Sequence, residues 1–190
     1  MKNSRENEMN TQKVKSSLGL MFWGNIVSLF AMIPIVGAIA VLVGGIMELV
    51  ALVKLRTQSE KYSNAFMLTI IGIVLGLFTG GDGLWGMAMQ LLHGLTTLGA
   101  TYFICTATEE YVRPVSYEVA DYCHSVCNWY VVCMVISLAI QAAMFVFSII
   151  PILGFIVAAV GVIALIVVAI FQLIASIRVL IMLWKCQGVL

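Results

Sequence analysis

The chain has 190 residues, of which 62% are hydrophobic and only 10% charged, and its mean hydropathy is +1.08; that leaves too little polar surface to cover a soluble sphere of this size. A net charge of +1, with no stripe of basic residues, also excludes nucleic acid as a partner. The composition is that of an integral membrane protein, and the expected fold is all-α, a polytopic transmembrane bundle of six helices.

Residues 1–17 are polar and mixed in charge, Lys2, Arg5, Lys13 and Lys15 standing against Glu6 and Glu8, and read as a flexible or interfacial cytoplasmic tail. Residues 18–190 form one membrane domain, with helices expected at about 18–33, 36–54, 64–80, 84–105, 129–149 and 152–177. The first two runs are short for a bilayer, which needs about 20 residues. No small-residue cleavage site follows the first run, so no signal peptide is expected to be removed. That run passes instead through Ile33-Pro34-Ile35-Val36-Gly37, a hairpin corner that returns as Ile150-Pro151-Ile152-Leu153-Gly154. Gly44 falls on Gly161 in the same frame, at an offset of 117. Further on the offset becomes 124 and aligns Glu48 with Gln172 and Lys54 with Arg178. The seven added residues are close to two helical turns and rotate the face by only about 20°. Helices 1–2 and 5–6 therefore read as a parallel repeat, in contrast to the inverted repeats familiar in transporters.

Gly80-Gly81-Asp82-Gly83 marks a turn after the third helix, and residues 106–128 are the only long polar stretch after the tail, expected to be helical on both sides of Pro114. All ten basic residues fall in the tail, after helix two (Lys54, Arg56, Lys61), after helix four (Arg113) or at the end of helix six (Arg178, Lys185), and none in the opposite loops. The positive-inside rule then puts both termini in the cytoplasm. Trp23, Trp85, Trp129 and Trp184 lie near predicted helix ends, where indoles favour the headgroup region. The expected location is a bacterial cytoplasmic (inner) membrane.

The ionisable residue that stands out is Glu48, placed in an apolar span at a cost of ~3 kcal/mol. Its candidate partners are Gln172, Asn25, Ser28 and Gln141. Gln90, His93, Thr97 and Thr101 share one face of helix four, and Cys133, Ser137, Gln141 and Ser148 one face of helix five. These stripes read either as the lining of a solute path or as ordinary interhelical hydrogen-bonding groups, worth about 0.6 kcal/mol each. Gly72, Gly76 and Gly80, continued by Ala65 and Thr69, remove side chains from one edge of helix three for close packing. Gly44, with Gly37, Ala40 and Ala51, does the same on helix two, and Gly161 occupies the repeat-related place.

Cys123-His124-x-x-Cys127 lacks the paired clusters of a structural zinc site, so its cysteines read as reduced bystanders, and neither metal nor cofactor is implied. No His-Glu-x-x-His, Gly-x-Ser-x-Gly or phosphate loop is present, so no enzymatic activity is expected. Glu109, Glu110, Glu118 and Asp121 outnumber Arg113 in 106–128, an acidic surface that suits a cytoplasmic protein partner or simple solvation.

Three features resemble small uncharacterised six-helix membrane proteins of Gram-positive bacteria: Tyr62, Ala65 and Phe66 before helix three, Tyr102-Phe103-Ile104-Cys105 at the end of helix four, and the Ile-Pro corner before the last helix. The resemblance covers most of the chain and implies no activity. Size and helix count are also similar to the substrate-binding subunits of energy-coupling vitamin transporters, although the Ala-x-x-x-Ala docking motif of their first helix is missing. The expected partners are lipid, a small solute or ion, a protein at 106–128, and further copies of the chain. The expected function is transport-related, with a non-catalytic interaction or regulatory role as the alternative.

Overall fold

A computed structural model describes residues 2–30, 37–81, 83–148 and 151–190. Among them the secondary structure consists of six helices without strands: α1 Lys2–Leu29, α2 Gly37–Leu55, α3 Glu60–Gly76, α4 Gly83–Val112, α5 Tyr117–Ser148 and α6 Pro151–Val189. Most of the first hairpin corner (33–36, with Pro34), residues 149–150 of the second, and Asp82 lie outside the described residues.

Local chemistry accounts for several boundaries. Ser59 is extended (φ −158°, ψ 143°), and its hydroxyl accepts from the Lys61 N–H at 3.2 Å, capping α3 with Glu60 in its first turn. Gly83 opens α4 at φ +70°, a conformation that glycine adopts without a Cβ penalty. Pro151 is the first residue of α6, where its missing N–H is no loss. One stretch is more ordered than its polarity predicts, and another is helical as expected. The tail is the beginning of α1, because Val14, Leu18 and Met21, four and three residues apart, bury one face. Residues 106–128 are helical except near Pro114, between the end of α4 at Val112 and the start of α5 at Tyr117.

The helices close into a ring. α1 packs on α2 and α6, α3 on α2 and α4, and α5 on α4 and α6. The main core fills one end of that ring: Val14, Leu18 and Met21 meet Leu52 and Leu55, Tyr62, Ile104 and Val112, Cys123 and Val126, and Met182 and Leu183. The opposite part of the ring carries exposed apolar side chains instead, among them Leu42, Ile46, Leu77, Val135, Ile136 and Ile166. Among the described residues two helical segments, Tyr117–Phe147 and Ile166–Val189, are long and apolar enough to cross a membrane, with only 17% and 22% of their most apolar windows buried. A helix at the centre of a soluble core would be mostly buried.

Within the core, Tyr62 and Thr108 are fully buried. Thr108 Oγ1 donates to the Ile104 carbonyl at 2.7 Å, so the Tyr62 phenol is the donor in its 2.9 Å bond to Thr108. Burial pushes that phenol well above its usual range. Thr108→Val removes the acceptor and leaves a buried O–H unpaired; thermal unfolding of the purified variant should show a loss of about 1–3 kcal/mol.

Candidate functional site

Just inside the buried end, five helices leave a cavity of about 80 Å³. α1 contributes Met21 and Asn25, α2 Glu48, α4 Thr101, Ile104 and Cys105, α5 Tyr130, and α6 Ser176, Val179 and Leu183. A second, larger space of about 270 Å³ is lined by His93, Gly94, Thr97, Tyr130, Met134, Gln172 and Ser176. Tyr130 and Ser176 stand in both walls, so the two spaces share part of their polar lining.

Glu48 is half-buried in the bundle, and it borders the cavity. Among the described residues its carboxylate has no hydrogen-bond or ion-pair partner. The neighbouring groups are already engaged elsewhere as donors. Asn25 Nδ2 donates to the Met21 carbonyl at 2.9 Å, and Ser176 Oγ to the Gln172 carbonyl at 2.9 Å. Thr101 Oγ1 donates to the Tyr130 hydroxyl at 3.5 Å. In the larger space Thr97 Oγ1 donates to the His93 carbonyl at 2.9 Å, and Gln172 Nε2 to Met134 Sδ at 3.4 Å. His93 Nδ1 lies 2.8 Å from the Gly72 carbonyl and therefore donates to it. Both spaces are consequently rich in oxygen lone pairs.

The sequence-derived candidates separate on this geometry. Glu48 and Asn25 line the first cavity, and Gln172 and His93 the second. Gln90 does not join them: it is exposed on α4, three residues before His93 and therefore turned about 60° from it around the helix axis. Gln141 is also absent from both walls and donates to Ser137 of its own helix at 3.1 Å. Ser28 lies at the α1–α2 contact, where a Cβ on Gly44 would meet its hydroxyl. Of the glycines, Gly72 and Gly76 lie against His93 and Thr96, and Gly161 against Met144, whereas Gly80 has open space around it. Tyr130 was not among the sequence-derived candidates. Its spacing of three and seven residues from Cys133 and Ser137 was the available sign that it extends their stripe inward.

At the charged end, Glu109 is buried and accepts from Arg113 and, at 3.2 Å, from His124. Lys61 pairs with the exposed Glu110. All five cysteines are buried and free, with Cys123 Sγ 3.2 Å from Cys186 Sγ. No group of three or more metal-ligating side chains occurs among the described residues. Comparison with protein-family models, curated proteins and solved structures found no match to this chain.

Proposed function

We propose that the chain is a polytopic protein of a bacterial cytoplasmic membrane, with six spans and both termini cytoplasmic, whose bundle holds a path for a small solute or ion. The observation that carries this reading is the convergence of Glu48, Asn25, Thr101, Tyr130, Ser176, Gln172, Thr97 and His93 on two adjoining spaces inside the helix ring. The membrane part is supported by the exposed apolar belt, by the exposure of Trp23, Trp85, Trp129 and Trp184, and by the basic residues near the buried end. α4, α5 and α6 have 30, 32 and 39 residues; at about 1.5 Å per residue they exceed a ~30 Å hydrocarbon core and would carry the buried end into the cytoplasm. A parallel repeat is supported by Gly44 and Gly161, each closely approached by the preceding helix. The role is non-enzymatic, and the resemblance to six-helix membrane proteins of Gram-positive bacteria fits it.

A single-cysteine experiment tests the path. Ser176→Cys in membrane vesicles is expected to react with a small, water-soluble, membrane-impermeant thiol reagent, above the background of the buried native cysteines. Val135→Cys, on the exposed apolar face of α5, is expected to stay unreacted. An inert Ser176→Cys would sink the path and favour the interaction role, for which Val115 and Tyr117, 56% and 70% exposed beside Pro114, offer a cytoplasmic docking surface.

A further inference from the structure

We propose that the cavity at Glu48 is a binding site for one monovalent metal cation, held by the Glu48 carboxylate and by the oxygen atoms of Asn25, Thr101, Tyr130 and Ser176. The proposal deepens the path reading above and rests on it.

Three observations lead to a cation. The first is the half-buried carboxylate, unpartnered among the described residues and bordering a cavity of about 80 Å³. A charge so placed is strongly disfavoured unless something neutralises it, and no Lys, Arg or His stands in the wall of that cavity. The second is the direction of the neighbouring hydrogen bonds. Asn25 and Ser176 donate to carbonyls of their own helices, and Thr101 donates to Tyr130. Each of these side chains thus keeps at least one oxygen lone pair to offer to the cavity, as a hard cation requires. The third is the space itself. A water needs roughly 10–15 Å³ by this kind of measure, so the cavity has room for an ion and a few retained waters.

Charge decides the valence. One carboxylate balances one positive charge, whereas a divalent ion would leave a net charge inside the bundle and generally draws on more anionic ligands. Neutral hydroxyl and amide oxygens with a single carboxylate fit Na⁺, K⁺ or Li⁺. The adjoining space at Gln172, Thr97 and His93 would then receive the solute, and the shared Tyr130 and Ser176 would let occupancy of one space be felt in the other.

The test is thermal unfolding of the purified full-length protein at fixed pH and ionic strength, titrated with NaCl, KCl or LiCl against N-methyl-D-glucamine chloride. One alkali cation is expected to raise the midpoint saturably, by roughly 5–10 °C at a hundredfold excess over its Kd. Glu48→Gln keeps the side-chain volume and should lose that shift; Ser176→Ala should fold and need about tenfold more cation, the effect of one hydrogen-bond-sized contact. Equilibrium binding of radioactive ²²Na⁺ or ⁸⁶Rb⁺ to wild type, expected at one per chain, keeps the question open to refutation even if Glu48→Gln does not fold. Equal midpoints in all chlorides with no bound isotope would overturn the site, as would an undiminished shift in Glu48→Gln. So would a parallel series across pH in which the midpoint moves with pH while no chloride moves it, since the proton would then be the occupant. Failure here combined with reaction of Ser176→Cys removes the cation and keeps the path; failure of both removes the path as well.

Discussion

Gly44→Leu is expected to prevent α1 and α2 from closing. A Cβ at Gly44 would stand 2.6 Å from the Gly24 carbonyl oxygen and closer still to the Ser28 hydroxyl, and a Cβ at Gly24 would stand 3.0 Å from the Gly44 carbonyl. The obstacle on each side is helix backbone, which cannot rotate away as a side chain can. Overpacking usually costs about 1–3 kcal/mol where neighbours can adjust; here the helices must separate, and a loss above that range is expected. The Glu48 cavity would open with them, because Asn25 and Glu48 reach it from these two helices. Size-exclusion chromatography and thermal unfolding in detergent should show a largely aggregated or strongly destabilised protein. Gly45→Leu is the matched control: a Cβ there meets nothing within 4 Å, and the change should stay within about 0.5 kcal/mol. Equal behaviour of the two variants would refute the close crossing.

Tyr62→Ala is expected to cost about 3–5 kcal/mol, the range for deleting a buried aromatic ring. Tyr62 is fully buried at the start of α3 and shares its cluster with residues from the other five helices. Tyr62→Phe keeps the ring and removes only the bond to Thr108, so about 1 kcal/mol should be lost. The gap between the two substitutions, read from denaturation midpoints under one condition, separates packing from hydrogen bonding. A Tyr62→Phe protein as unstable as Tyr62→Ala would mean that the phenol, and not the ring, holds this end together.

The two predictions probe different requirements of one arrangement. Packing at the charged end fixes where α2, α4 and α6 stand, and only with them fixed do Glu48, Thr101 and Ser176 reach a common space. The outer ion pairs do less. Lys61–Glu110 lies largely in solvent, with the two side chains 37% and 60% exposed, and pairs of that kind contribute about 0–1 kcal/mol.

The all-α class and the six helices were determined by the sequence alone, because apolar runs of that length, broken by Pro and Gly, have few other ways to satisfy their backbone. Polar stripes on helices four and five, and the isolation of Glu48, were equally plain, since helical periodicity is a local property. Local rules also set their own limit. A polar residue does not say whether water, lipid or another helix lies opposite, so Gln90 and His93, three residues apart, could not be separated until the rotation of α4 was known. The helical order of the tail was hidden for the same reason: Val14 packs in one cluster with Tyr62, Leu52 and Met182, which are far away in the chain. Only the tertiary structure decided that Tyr130 and Ser176 stand in the walls of both spaces and that donors on three helices, Asn25, Thr101 and Ser176, are engaged away from Glu48, because convergence depends on how separate helices are rotated against one another, and that is set by packing between them.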